Sequence, residues 1–122
     1  MRVLVIGGTG FIGSHTVEAL VSRGYVVTVL CRNSSTFPEH SPLHNSKIEF
    51  LTGDYRNSNV LSRALQKMDA VIHLAWIGFP HSTINLPASE IENNVIGTLT
   101  LLDQCVLNKI KKLIFISSGG TV

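Results

Sequence analysis

The hydrophobic positions of the chain form short continuous runs that alternate with stretches of helical spacing. Residues 3–6 are an aliphatic run closed by glycines, which is typical of a parallel strand buried on both faces. The period then changes, and Gly24 is placed to end the predicted helix in the left-handed conformation. The apolar positions of that helix are Phe11, Ile12, Val17, Leu20 and Val21.

The same alternation continues along the chain. Further apolar runs predict strands over 25–30, 48–51, 70–74 and 113–116. Two apolar stripes between them predict helices: Val60, Leu61, Ala64, Leu65 and Met68 in one, and Ile91, Val95, Leu99, Leu102 and Val106 in the other. Strands that alternate with helices predict right-handed crossovers, and therefore an α/β doubly wound parallel sheet with helices on both faces.

Composition and charge narrow the function classes. With 122 residues, 44% hydrophobic and 15% charged, the chain is predicted to form one compact domain. The formal net charge is +2, and the largest cationic group, within 109–112, fits a solvated helix end, so we expect neither a nucleic-acid nor a membrane partner. The opening apolar run is too short for a secretory signal, and no run approaches the roughly 18 apolar residues that cross a bilayer, which predicts a cytoplasmic protein. Cys31 and Cys105 are predicted to be reduced, buried and structural.

Three glycines at a spacing of three, Gly7, Gly10 and Gly13, lie between the first strand and the first helix. A turn made of glycines lets backbone amides approach a diphosphate, and the positive end of the following helix faces that charge. The alternative is a tight turn in which the glycines serve packing alone. The flanking strand and helix favour the diphosphate site.

Several motifs resemble, in order, those of the extended short-chain dehydrogenase/reductase family, the NAD(P)-dependent nucleotide-sugar epimerases and dehydratases. The opening signature is matched by Gly7, Thr9, Gly10, Phe11, Ile12 and Gly13. The resemblance implies a Rossmann-type sheet with strand order 3-2-1-4-5 that is truncated after its fifth strand. It also implies that 1–122 are an incomplete NAD(P)-binding domain and that the substrate-binding domain is absent.

The resemblance assigns roles to residues beyond the glycine turn. "GDYRN" places Asp54 at the adenine ring with Tyr55 beside it, and "VIHLAW" places Leu74 and Ala75 along the ribose and pyrophosphate. Asn94 matches an asparagine near the nicotinamide end. From the residues alone, Asp54 fits an N-cap or a turn residue equally well.

The histidines carry no clear chemistry of their own. His73 fits a core histidine better than a catalytic base. The others have no carboxylate or cysteine partners at metal-ligand spacing, so no metal is expected: His15, His40, His44 and His81.

The end of the second strand bears on the choice of cofactor. An acidic residue there binds the ribose hydroxyls of NAD, whereas an arginine can pair with the additional phosphate of NADP. Here Cys31 stands at the acidic position, and Arg32, Asn33 and Ser34 supply a cation and polar donors but no carboxylate. This pattern resembles the NADP-dependent sugar dehydratases and favours NADP over NAD. The alternative is a solvated Arg32 in a domain that binds NAD weakly.

The catalytic group is only partly matched. In the family a hydroxyl just past the fifth strand binds the reacting oxygen of the substrate, and a tyrosine with a lysine four residues later forms the acid/base pair. "FISSGGTV" resembles the segment before that tyrosine, and Ser118 is the candidate hydroxyl, although the register falls on Gly119. No downstream tyrosine or lysine is present in the sequence.

Two functions therefore stay open. The first is the NAD(P)-binding portion of a nucleotide-sugar epimerase or dehydratase that acts by hydride transfer at a sugar carbon and is inactive alone. The second is a stand-alone dinucleotide-binding or interaction module derived from such an enzyme. The long apolar stripe over 91–106 and an exposed fifth strand predict self-association in either case.

Overall fold

The computed structural model describes residues 1–33, 48–76 and 87–117. Within these ranges the strands are β1 (Arg2–Ile6), β2 (Val26–Cys31), β3 (Ile48–Thr52), β4 (Ala70–His73) and β5 (Lys112–Phe115). The helices are α1 (Phe11–Ser22), α2 (Ser58–Ala64), α3 (Pro87–Glu90) and α4 (Gly97–Leu107), and a π-helical segment, Ile91–Ile96, joins α3 to α4. Ser34 and Ser118 lie outside the described residues.

The predicted elements are present, with boundaries that shift by a few residues. Helix α1 ends at Ser22, and Gly24 follows in the left-handed conformation with φ of +79°. The Gly24 amide donates to the carbonyl of Val21 over 2.9 Å, which closes the helix end as predicted. The long apolar stripe was predicted as one helix, but it is divided by the π-helical segment.

The five strands form one parallel sheet in the order β3-β2-β1-β4-β5, which confirms the predicted order 3-2-1-4-5. β1 occupies the centre, and Ile6 at its end lies beside Leu30 of β2 on one side and His73 of β4 on the other. From β1 the chain runs outward through β2 to β3, and it then crosses back to place β4 on the other side of β1. In an open α/β sheet this reversal produces a crevice at the carboxyl ends of the strands.

Side chains alternate across the sheet, and each face carries its own core cluster. Val3 and Val5 of β1 pack with Val17 of α1 on one face, whereas Leu4 and Ile6 face the other side. That second cluster includes Leu61, Leu65, Leu101 and Cys105 from helices α2 and α4 and the turn after α2. Helices therefore cover both faces, and the continuous aliphatic run of β1 follows from burial on both sides.

The two cysteines are buried, as predicted. Cys31 and Cys105 are free, and both are buried in the core clusters, where burial raises the pKa of each thiol. No helix in the described ranges is long and apolar enough to span a bilayer.

Candidate functional site

The turn between β1 and α1 brings its glycines into close backbone contact. A Cβ on Gly7, which has φ of +84°, would lie 2.8 Å from the amide nitrogen of Ala75, and a Cβ on Gly13 would overlap the carbonyl oxygen of Gly7. At Gly10, by contrast, the nearest atom to a built Cβ is the Gly7 carbonyl oxygen at 3.5 Å. Gly7 and Gly13 are therefore required for packing, and Gly10 leaves open space in front of α1.

The start of α1 presents backbone amides to that open space. Gly10 is the N-cap in an extended conformation, and no side chain of the described residues caps the helix. The first N–H groups of a helix lack partners within the helix and carry its positive partial charge. An anion in front of Phe11 and Ile12 would accept hydrogen bonds from these N–H groups and would be attracted by the positive partial charge.

A cavity of about 250 Å³ opens at the carboxyl ends of β1, β2, β3 and β4. Seven residues predicted to bind a dinucleotide line it: Gly7, Gly10, Arg32, Asp54, Tyr55, Leu74 and Ala75. A second cavity of about 330 Å³ shares Gly7, Gly10 and Leu74, and adds Phe11, Ile12, Gly13 and Ile116. The two cavities therefore adjoin at the glycine turn, and predicted residues from distant parts of the sequence line them.

Asp54 is fixed by an ion pair within its own turn. Nε of Arg56 lies 2.9 Å from Oδ1 and 3.1 Å from Oδ2, and the Arg56 amide also donates to Oδ1 over 2.9 Å. These hydrogen bonds lower the pKa of Asp54, with a smaller Coulomb contribution from Arg32. Asp54 is therefore an ionised acceptor at the cavity wall at neutral pH. The N-cap of α2 is Asn57, not Asp54, whose carbonyl accepts the Asn57 amide over 3.0 Å.

Tyr55 faces two ways. Its ring lines the cavity and packs on the ring of His73 with centroids 4.9 Å apart, and its hydroxyl donates to the carbonyl of Asn93 over 2.9 Å. Burial raises the pKa of this tyrosine, which stays protonated as a donor. His73 is 2% exposed and burial lowers its pKa, so it is a neutral core histidine. Its Nδ1 is buried and has no hydrogen-bond partner among the described residues.

At the end of β2, Cys31 and Arg32 lie in different surroundings. The thiol of Cys31 packs in the same cluster as Val27 and Val29, so it points into the core although the residue borders the cavity. Arg32 is exposed and lines the cavity beside it. Asn33 is not among the lining residues of this cavity.

Asn94 lies apart from the cavity residues. It is 3% exposed, and its Nδ2 donates to Oε2 of Glu90 over 2.8 Å within the helix. Neither of the two cavities is lined by Asn94.

Sequence reasoning missed several residues of the site. Trp76, which is 62% exposed and three residues past the end of β4, lines the cavity of about 250 Å³. Thr9, which was matched in the opening signature but given no binding role, lines the same cavity. An exposed tryptophan beside a glycine turn is a signal that could have been used, since apolar side chains at a pocket rim favour ligands. Arg56, two positions after Asp54, was within the quoted motif but was given no role. Within the described ranges, no group of three His, Cys, Asp or Glu could hold a metal ion.

Comparison with known proteins identifies similar sequences over the whole chain. Residues 3–122 match the model of the NAD dependent epimerase/dehydratase family. The UDP-glucose 4-epimerase of Yersinia enterocolitica is 38% identical over 128 residues, covering 100% of this chain and 38% of that protein. The UDP-glucose 4-epimerase of Lactobacillus helveticus is 37% identical, covering 99% of this chain and 36% of that protein.

Solved structures show the same similarity. The UDP-glucose 4-epimerase from Bifidobacterium longum in complex with NAD+ and UDP superimposes with a TM-score of 0.87 at 30% identity, covering 98% of this chain and 37% of that chain. The enzyme from Stenotrophomonas maltophila with bound NAD and formylated UDP-arabinopyranose gives a TM-score of 0.89 at 26% identity, with coverage of 98% and 38%. The chain therefore spans a little over a third of the length of the relatives it matches.

Proposed function

The chain belongs to the NAD dependent epimerase/dehydratase family, and we propose that residues 1–122 are the dinucleotide-binding portion of a nucleotide-sugar epimerase or dehydratase. The observation that carries this proposal is the cavity at the reversal of strand order, where the glycine turn, Asp54 and the segment after β4 meet. Sugar recognition and the acid/base pair are assigned to parts of the enzyme outside these residues.

The glycine turn is suited to the diphosphate. Gly10 leaves room for phosphate oxygens, and the amides at the start of α1, from Phe11 to Gly13, supply donors and positive partial charge. Because Gly7 has no Cβ, the turn packs closely against the backbone of Ala75, where a Cβ would lie 2.8 Å from the amide nitrogen.

The adenosine end is assigned to the other side of the cavity. The ionised carboxylate of Asp54 accepts a hydrogen bond from the adenine amine or a ribose hydroxyl, and Tyr55 lies beside the base. Leu74 and Ala75 form an apolar surface for the ribose and pyrophosphate. This mixture of an apolar lining and a few polar groups is typical of cofactor sites.

When bound, the nicotinamide ring supplies hydride exchange with a sugar carbon, and the chain contributes binding and orientation. Asn94 is assigned to the nicotinamide end and Ser118 to the reacting oxygen of the substrate. Without a general acid/base pair, proton transfer loses about 10²- to 10⁴-fold in rate. We therefore expect no turnover by these residues alone, which incubation with dinucleotide and a panel of UDP-, GDP- and dTDP-sugars checks; a robust product would contradict this part of the proposal.

Arg32 carries the finer expectation that NADP binds better than NAD. Its guanidinium is exposed at the cavity, and the thiol of Cys31 offers no acceptor for ribose hydroxyls. The family description names NAD, and the two solved relatives contain NAD, so the comparisons do not support this preference. The expectation rests on Arg32 and the missing carboxylate at Cys31.

Thermal denaturation with NAD, NADP and ADP-ribose tests the proposed function directly. A ligand that binds only the folded chain raises the free energy of unfolding by mass action, by about 2.7 kcal/mol at a concentration one hundred times Kd. The melting temperature rises as a result. The proposal requires a saturable increase with at least one dinucleotide. No increase with any of the three at millimolar concentration would contradict it.

The alternative is a stand-alone module whose exposed helical face binds a second copy. The π-helical segment and α4 expose an apolar stripe, with Leu99 54% and Val106 77% exposed, and Ile114 and Phe115 of the edge strand β5 are also exposed. Apolar patches and unpaired strand edges of this kind favour association. This alternative retains the dinucleotide site and differs in requiring no further enzyme.

A further inference from the structure

Trp76 is a large apolar side chain left in solvent at the edge of the cavity at the strand ends. It lies three residues past the end of β4, is 62% exposed, and lines the cavity of about 250 Å³. Single exposed apolar residues are common on protein surfaces, but an exposed aromatic group that also borders a cavity is placed where a ligand would cover it.

The backbone that leads to Trp76 is fixed against the glycine turn. The amide of Leu74 donates to the carbonyl of Ile6 over 2.9 Å, and a Cβ on Gly7 would lie 2.8 Å from the amide nitrogen of Ala75. The main chain before Trp76 therefore packs on the end of β1 and the turn that follows it. This packing holds the attachment point of the indole beside the cavity in the free chain.

The other side chains of this cavity leave a flat apolar contact to Trp76. Tyr55 is the other aromatic residue among the described lining, but it is only 5% exposed and its hydroxyl donates to the carbonyl of Asn93. Asp54 and Arg32 are charged. The cavity thus combines two charged groups, which supply directional contacts, with one exposed aromatic surface that can pack on a ring.

Trp76 lies on one side of the glycine turn. The cavity that it lines also contains Asp54 and Arg32, whereas the start of α1, Phe11 to Gly13, lines the second cavity, in which Trp76 takes no part. The indole is therefore placed with the groups assigned to adenosine. It is not placed with the helix start assigned to the diphosphate.

We propose that Trp76 is a ligand-contact residue whose indole packs against the adenosine half of the dinucleotide. The inference rests on the proposed function, which puts adenosine in the cavity with Asp54. Every nucleobase has a π-face, and stacking on an aromatic side chain contributes to affinity without hydrogen bonds. Trp76 thus selects ligands that carry a flat base, and Asp54 and Arg32 act on their polar groups.

Affinity measurements by calorimetry use ADP-ribose, which carries the adenosine and the diphosphate but no nicotinamide. Trp76→Ala should weaken the binding of ADP-ribose and of the dinucleotide by the same factor, about 10-fold. Trp76→Phe keeps a flat ring and should stay within about 3-fold of the wild type. Because the indole is exposed, Trp76→Ala should change the melting temperature of the free chain by less than about 2 °C.

A matched control is Leu107→Ala, which removes an apolar side chain that is 71% exposed and lines neither cavity. Its affinities for both ligands should equal those of the wild type. An equal loss in Leu107→Ala and Trp76→Ala would show that the loss does not come from contact with the ligand.

The emission of Trp76 gives a direct readout in the unmodified chain, because the sequence contains one tryptophan. Excitation at the red edge of its absorption avoids adenine. Acrylamide should quench the exposed indole of the free chain, and saturation with ADP-ribose should shield it and lower the quenching constant. Nicotinamide mononucleotide, which lacks adenosine, should leave the quenching constant unchanged at the same concentration.

Four results would each overturn the inference: quenching unchanged by saturating ADP-ribose, shielding by nicotinamide mononucleotide, full affinity in Trp76→Ala, or a Trp76→Phe chain as weak as Trp76→Ala. The quenching measurement decides the question even where Trp76→Ala fails to fold. A wild-type chain that binds ADP-ribose in the calorimeter but leaves Trp76 unshielded contradicts the inference alone. A wild-type chain that binds neither ADP-ribose nor a dinucleotide contradicts the proposed function, and the inference with it.

Discussion

The guanidinium of Arg56 lies against the carboxylate of Asp54, with Nε 2.9 and 3.1 Å from the two carboxylate oxygens and Nη2 2.5 Å from Oδ2. The two residues stand in one turn and are partly exposed, yet three donors of Arg56, Nε, Nη2 and the backbone amide, converge on one carboxylate. An acceptor held in this way keeps its charge and its direction whether or not a ligand is present. This rigidity suits the adenosine-binding role that we propose for Asp54.

The first prediction concerns the pH dependence of stability. Because Arg56 holds the pKa of Asp54 below the value of about 3.9 for an unfolded chain, the pair stabilises the fold above that pH and the contribution is lost as pH falls through the folded pKa. Arg56→Gln should lower the free energy of unfolding at pH 7 by up to about 1 kcal/mol. Urea denaturation at pH 7 and pH 3 measures the difference, which should be smaller in the variant.

A matched control for this prediction is Arg63→Gln, which removes an exposed cation from α2. Its difference between the two pH values should equal that of the wild type. If Arg56→Gln behaved like Arg63→Gln, the ion pair would have no role in stability.

The second prediction separates the two functions of the glycine turn. Gly10→Ala adds a methyl group to open space, so the free energy of unfolding should change by less than about 1 kcal/mol. The affinity for the dinucleotide should nevertheless fall at least about 10-fold. Gly13→Ala forces a Cβ onto the Gly7 carbonyl and should lose about 1–3 kcal/mol. Thermal denaturation with and without ligand measures both effects. If the Gly10→Ala chain bound the dinucleotide as tightly as the wild type, the diphosphate would not bind at this turn.

The third prediction tests Arg32. Arg32→Gln removes the exposed cation, and we expect the affinity for NADP to fall about 10-fold and that for NAD to stay within about 2-fold. Fluorescence titration of the wild type and of Arg32→Gln, each with NAD and with NADP, gives the four dissociation constants. A wild-type preference for NAD, unchanged in Arg32→Gln, would show that Arg32 is a solvated residue.

The fourth prediction concerns self-association. Leu99→Glu and Val106→Glu place charges on the exposed apolar stripe and should each shift the chain towards monomer, because a desolvated charge opposes an apolar interface. Light scattering over a range of concentrations reports the mass. Gln66→Glu, which adds the same charge at an exposed position after α2, should leave the mass unchanged. A monomeric wild-type chain at high concentration would contradict the prediction.

The fold could be predicted from the sequence because a strand that is buried on both faces leaves a continuous run of apolar residues. The aliphatic run of β1 and the left-handed Gly24 each follow from a local rule, and both are confirmed. The inward direction of the Cys31 thiol was also readable, since it shares a strand face with Val27 and Val29.

The hydrogen bonds from Tyr55 and Arg56 to Asn93 could not be predicted from the sequence in this way. They join residues 54–56 to a helix more than thirty positions away, and no periodicity specifies which side chains meet across such a distance. The π-helical segment was missed because apolar residues at 91, 95 and 99 fit an unbroken α-helix equally well. Side-chain geometry, rather than pattern, decides this part of the site.

The central position of β1 also determines the order in which the chain can assemble. Leu4 pairs with Thr28 on one side and with Val71 on the other, so β1 gains both of its neighbours only after β4 has been synthesised. Until then one edge of this buried strand stays unpaired, and parallel pairing between distant segments is slow. The nascent chain is therefore most open to aggregation, and to binding by chaperones, in the interval between the synthesis of β1 and that of β4.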